Sequence, residues 1–469
     1  MDVTGLDAVD LAGRIAAREL SAVEVMRATL ERIAAVNPAV NAIVSLRPQA
    51  ELLREAARAD AQTARGPLHG LPIAIKDLAD AAELPTSQGS PLFAGQVAAA
   101  DDPVVARLRA AGAIVIGKTN TPEFGLGSHT YNPVHGATHN PYDLSRSAGG
   151  SSGGAAVALA TGMLCIADGS DMMGSLRNPA AWNNVYGMRP TWGAVPSEAE
   201  GDLFLHQLST SGPMARSPGD LALLLDVMAG PDPRQPLGLA LAPVRDRLGV
   251  DPGAVRVGWL ADWGGALPLD PGVLDLCGAA LGQMSGLGWQ VEDLSPPFDA
   301  EAMWESWITL RSFSVASGKG ALYEDPAKRV HLKPAAVWEI ERGRAMSGRA
   351  LQAASHRRSD WFRAAMGLFD RFDVLALPSA QTWPFDGALD YPRQIAGHAM
   401  DTYHRWMQVV VPASLIGLPA VNIPAGFGEA GLPMGLQLIG RRGSDAQLLQ
   451  IAERWHQATR WPQERPALR

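Results

Sequence analysis

The sequence predicts a layered α/β fold carried in one domain, on three observations. Short apolar runs suited to strands alternate with stretches of helical period, the pattern of a sheet covered by helices. Two turns rich in glycine and serine, around Gly149–Gly154 and Gly174–Ser175, adjoin apolar segments, so they sit between buried elements. No linker is long enough to separate domains, although the 469 residues alone would suit two or three.

The elements follow in order. Residues 1–65 read as an N-terminal helical segment. Ser21 and Glu24 form a capping box, Val23, Met26, Leu30 and Ile33 recur at helical spacing, and Pro38 ends the helix. Residues 70–230 form a core. Within it, Leu71–Ile75 and Ile114–Ile116 read as strands, and Pro103 after two aspartates starts a helix that stops at Ala111–Gly112. Asp143–Ala148 is polar and turn-like. An alanine-rich helix runs from about Ala155 to Thr161, and an apolar stretch from Met163 to Ala167 delivers the second turn.

Residues 231–400 carry a weaker pattern, read as a mostly helical insertion on the substrate side. Positions 231–252 are proline-rich, Val255–Leu260 and Val374–Pro378 read as strands, and Val273–Met284 and most of Ala302–Phe369 as helix. Residues 401–469 return to the core, through Gly417–Pro424, Pro433–Ile439 and a helix from about Ser444.

Composition narrows the function classes. Residues are 47% hydrophobic and 19% charged, with a net charge of −8, a poor balance for binding nucleic acid or an anionic membrane. Cys165 and Cys277 lie in apolar runs and read as small buried hydrophobes in a reducing compartment; two cysteines make neither a disulfide scaffold nor a four-thiolate zinc site. The first residues lack a signal-peptide pattern, and no uncharged apolar run reaches the ~18 residues of a spanning helix. A cytoplasmic protein is predicted.

Four constellations invite chemistry. His129, His135 and His139 lie in a turn-rich stretch without an acidic partner at helical spacing, which favours hydrogen-bonding loop imidazoles over a metal site. Gly150–Gly154 formally matches G-x-S-x-G, with Ser152 as nucleophile, but an elbow needs a buried strand before it and the preceding residues are polar. Lys76 ends an apolar run. A lysine at a strand end is most often ordinary, yet burial would lower its pKa and make it a base. Around Gly174–Ser175, successive backbone N–H groups can converge on a developing oxyanion, with Asp171 and Arg177 placed to brace the turn.

Taken together, Lys76, the run Gly149-Gly150-Ser151-Ser152-Gly153-Gly154 and the stretch Asp171-x-x-Gly174-Ser175-Leu176-Arg177 resemble the amidase signature family. The two serines stand twenty-four residues apart, as in that family. The likeness extends through Gly117–Phe124, Asn140–Asp143, Gly187–Thr191, Gly212–Arg216, Gly417–Ala420 and Gly435–Gly440. It implies a single α/β domain with a large mixed sheet between helices, and a triad without metal or cofactor. In that triad Ser175 attacks and forms an acyl-enzyme, Ser151 follows a cis peptide bond and relays the proton, and Lys76 is the neutral base. The N–H groups of Met172, Met173, Gly174 and Ser175 would form the oxyanion hole, and Ser152 would support by hydrogen bonding. Met173 departs from the family, which usually has glycine there. Its Cβ disfavours positive φ and its side chain would reshape the acyl pocket.

The expected reaction is hydrolysis of an acyl carbon–nitrogen bond in a small amide or anilide, with carbamates or esters as further candidates, by a monomer or homodimer. Phe93, Tyr131, Met173, Trp304 and Trp307 are candidate substrate contacts, with Leu92 and Trp383 behind them; the tryptophans would equally pack a helical layer. Alternatives are the amidase component of a tRNA-dependent amidotransferase, from which Arg177–Asn184 departs, an esterase using Ser152, and a catalytically silent binding protein.

Overall fold

The computed structural model describes residues 3–197 and 201–468. Its centre is an eight-stranded mixed sheet in the order Gln290–Asp293, Arg256–Trp259, Val374–Pro378, Pro433–Gly440, Ala420–Phe427, Tyr186–Arg189, Thr210–Ala215 and Ile166–Asp171. The first three strands are parallel, and every later pairing is antiparallel. The middle strands are buried on both faces, which explains why Val374–Pro378 and Pro433–Gly440 read as continuous apolar runs rather than alternating ones. Helices cover the sheet in the single α/β architecture expected.

A three-stranded sheet stands beside the large one, in the order Ile43–Val44, Ile114–Thr119, Pro72–Lys76. The Lys76 amide donates to Asp168 Oδ1 at 2.9 Å, tying this small sheet to the edge strand Ile166–Asp171. Lys76 therefore ends a buried strand that faces the turn carrying Ser175.

Two sequence expectations change. The helix Ala22–Val40 continues through Pro38 and ends at Asn41, which takes a left-handed conformation (φ 51°). Asp143–Ser147 is a short strand rather than a turn, paired with His139–Asn140 in a separate two-stranded sheet. The capping box at Ser21 and Glu24 forms as read. Residues 300–368 fold into the helices Ala300–Glu324, Pro326–Arg329, Pro334–Arg344 and Gly348–Leu368, and the first of these lies against the turn that carries Ser175.

Candidate active site

Three segments converge. The strand Pro72–Lys76 delivers Lys76; the glycine-rich loop delivers Ser151 and Ser152 and runs into the helix Gly153–Ala160; the end of Ile166–Asp171 delivers Ser170, Asp171 and the turn to Ser175. The loop must lie against backbone, and its glycines permit this. A Cβ on Gly154 would stand 2.5 Å from the Ala42 carbonyl oxygen. The Thr130 hydroxyl donates to the Gly149 carbonyl at 2.8 Å, the Ser128 hydroxyl donates to the Gly150 carbonyl, and the Gly150–Ser151 peptide bond is cis. The Ser152 N–H donates to the Ser175 carbonyl at 3.3 Å, joining the two glycine turns directly.

Lys76 is 1% exposed, and its amine sits 2.8 Å from Ser151 Oγ, 2.8 Å from Ser152 Oγ, 3.0 Å from Ser170 Oγ and 3.3 Å from the Ser170 carbonyl. Burial pushes its pKa down to about 7 against the pull of Asp168 and Asp171. An uncharged amine has two N–H donors and one lone pair, so one surrounding hydroxyl must donate to it. Ser151 and Ser175 line a common cavity of about 200 Å³, and Ser152 is absent from that lining.

Asp171 accepts from Gly174 N at 2.8 Å and from Arg177 Nε and Nη2 at 3.0 and 3.1 Å, with Arg189 as a second cation. Burial alone would raise the Asp171 pKa, but the two guanidiniums hold it at about 2. Arg177 also reaches Gln437 Oε1 at 2.5 Å and Ser414 Oγ at 2.7 Å, so the turn is braced by the centre of the large sheet. The Gly174 N–H is committed to Asp171, which removes it from the expected oxyanion donors. The positive φ of the turn falls on Gly174 (+78°) and not on Met173.

The predicted substrate contacts separate. Met172, not Met173, lines the catalytic cavity. Met173 turns into the core, where Trp307 Nε1 lies 3.2 Å from its sulfur. Trp304 and Trp307 are buried in the same hydrophobic cluster and do not reach the cavity. Tyr131 lines a different cavity of about 490 Å³ with Trp338 and Tyr403. Phe93 stands behind the wall, its ring edge-to-face with Phe124, which does line the site. A cavity of about 700 Å³ beside Arg47 and His69 contains none of Lys76, Ser151, Ser152, Ser170 and Ser175.

The histidines also scatter. His129 bonds Ser147 and the Gly387 carbonyl, while His135 lies 3.7 Å from Asp77. Residue type and spacing did not reveal Ser170, Arg189 or Arg311. Arg189 stands inside a stretch of family likeness, but only the pairing of its strand with Thr210–Ala215, and of that strand with Ile166–Asp171, carries it to Asp171.

The family model for amidases matches residues 24–449. The chain is 34% identical to an acylamidase of Rhodococcus erythropolis, covering 98% of this chain and 97% of the relative. It is 36% identical to a glutamyl-tRNA(Gln) amidotransferase component of Symbiobacterium thermophilum, covering 96% of each. A crystal structure of a bacterial aryl acylamidase of the amidase signature family superposes with a TM-score of 0.91 at 28% identity, covering 98% of this chain and 99% of the other. The chain belongs to the amidase family, the amidohydrolases that act on carbon–nitrogen amide bonds.

Proposed function

We propose that the chain is a free-standing amidohydrolase for small amides or anilides, using Ser175 as nucleophile, Ser151 as relay and Lys76 as base. One observation carries this reading: a fully buried amine with its pKa near 7 stands 2.8 Å from Ser151 Oγ, and Ser151 shares a cavity with Ser175. Ser175 Oγ attacks the carbonyl carbon while its proton passes through Ser151 to Lys76. The N–H groups of Met172, Met173 and Ser175 are the donors assigned to the oxyanion. Collapse breaks the C–N bond, and the proton returns through Ser151 to the leaving amine. Water then attacks the acyl ester by the same relay, releasing the acid and restoring Ser175.

Ser152 supports the amine without facing the substrate. The elbow alternative, with Ser152 attacking, has no support in a residue that lies outside the cavity lining and occupies the N-cap of the helix Gly153–Ala160. Anilide turnover by Ser175→Ala, Ser151→Ala, Lys76→Ala and Ser152→Ala tests the roles. The first three should each lose about a thousandfold or more, because the triad acts as a unit, and Ser152→Ala much less. Full activity in Ser175→Ala would sink the assignment. Carbamates and esters belong in the same panel.

A further inference from the structure

The catalytic cavity is lined along one side by a single helical face. Arg311, Ser314, Val315, Gly318 and Lys319 recur at offsets of 3, 4, 7 and 8 in the helix Ala300–Glu324, which puts them on one stripe. Among the described residues, the lining holds two cations and no aspartate or glutamate.

The two cations differ. Arg311 is neutralised: its Nε lies 2.7 Å from Glu339 Oε1, with both side chains buried, and its Nη2 donates to the Tyr403 hydroxyl at 2.8 Å. Lys319 has no such partner. Among the described residues no carboxylate lies within ion-pair distance of its amine, which donates to the amide oxygen of Gln88 at 2.9 Å. The amine rests against two aromatic rings, 5.0 Å from the centroid of Phe124 and 5.9 Å from that of Phe93. Burial lowers its pKa, and no nearby acid opposes that. A cation held by ring faces and an amide, with no counter-ion, is a site for an anion.

Position sets the substrate. Arg311 Nη1 lies 3.2 Å from the sulfur of Met172, at the start of the nucleophile turn. Lys319 is eight residues further along the helix, about 12 Å at 1.5 Å per residue. Ser209 and Ser314 line the same cavity.

Resting on the amidohydrolase reading, we propose that Lys319 is a specificity-determining residue that binds a carboxylate at the end of the substrate remote from the scissile amide. The substrate class is then an amide acid, its carboxylate seated at the side of the cavity formed by Phe124 and Lys319.

Two matched substrate series test this, with the distal group placed on the acyl portion in one and on the amine portion in the other. Each compares a terminal carboxylate, a terminal methyl and a terminal ammonium on chains of equal length. The readout is the ratio of kcat/KM values within each protein, which cancels general damage to a variant. Wild type should favour the carboxylate over the methyl by about 10-fold or more in one series, the scale of a charge-assisted hydrogen bond. Lys319→Met should bring that ratio close to one, and Lys319→Glu should turn the preference toward the ammonium. A wild-type ratio near one in both series, or a preference that survives in Lys319→Met, overturns the proposal. Calorimetric titration of Ser175→Ala with the same compounds reads recognition without turnover; binding of the carboxylate no tighter than the methyl also overturns it. Undiminished turnover by Ser175→Ala strikes the nucleophile assignment alone and leaves the carboxylate preference standing, so the two failures are distinguishable.

Discussion

At Lys76 two physical demands meet. Removing an amine from water costs several kcal/mol if it stays charged, so it sheds its proton or finds an acid. Here the backbone takes one nearby acid: Asp168 accepts the Lys76 N–H and does not touch the amine. Three hydroxyls surround the nitrogen instead. Below about pH 7 the amine is an ammonium with no lone pair for the relay; above it the amine can accept. The acylation rate should therefore rise with pH through about 7 and level off, measured as kcat/KM on an anilide without ionisable groups. A bell centred below pH 6 would contradict a lysine base. Met173 is the residue where sequence reasoning and packing part. Placed beside the nucleophile in sequence, it reads as pocket lining, yet its side chain packs beneath the turn against Trp307. Met173→Gly should lower stability by about 2–5 kcal/mol, as large-to-small core changes do, and leave relative rates across an acyl panel unchanged. Urea unfolding and the anilide panel check both halves.

At the scale of elements, the catalytic turn is held by a buried charge cluster joining three strands and a helix. Asp171 ends one strand, Arg189 and Gln437 come from two others, and Arg177 starts the helix Arg177–Trp182. Asp171→Asn would leave two guanidiniums short of a counter-charge, a loss of about 3–5 kcal/mol by the behaviour of broken buried pairs. Denaturant titration at neutral pH measures it. Because the folded pKa of about 2 lies below the unfolded value near 4, the carboxylate contributes fully above about pH 4, and its contribution drains away as pH falls toward 2. Wild type should lose stability over that interval more steeply than Asp171→Asn. The pair Asp171–Arg177 was legible from its spacing around the turn. The contribution of Arg189 was not, because it depends on which strands become neighbours. Pro38 misled for a similar reason: a single helix breaker was outweighed by the packed face Met26, Leu30, Ile33 and Val36 and by the left-handed stop at Asn41.

Over the whole molecule, most of the fold was legible because its strands are short apolar runs bounded by glycine and proline, and the candidate site was legible because Lys76 and the two glycine–serine turns carry chemistry unusual for their surroundings. A helical wall from residues 300–345 was expected, but the residues it turns inward were not legible. Its helices lack a clean apolar stripe, so which faces turn inward is decided by tertiary packing. Trp304 and Trp307 went to the core, while Arg311 and Lys319 reached the cavity. Likeness to both an acylamidase and an amidotransferase component spans nearly the whole chain, so global similarity does not separate those two activities. Glutaminase activity of the isolated chain does. A free-standing amidase should cleave anilides at full rate alone and show no gain with the other amidotransferase components added; a large gain in glutamine hydrolysis on adding them would reverse that assignment.

The pairing of Arg177 with Gln437 bridges 260 positions of chain. Translation proceeds from one end, and early segments begin to compact before late ones exist. The hairpin Ala420–Gly440 nevertheless occupies the middle of the large sheet, with strands from both earlier halves on either side of it. A nascent chain thus carries Lys76 and Ser175 long before the rib that locks the support of the Ser175 turn has left the ribosome. Stalled chains ending near residue 415 should be inert toward a serine-directed fluorophosphonate, and labelling should switch on abruptly once residue 440 clears the exit tunnel.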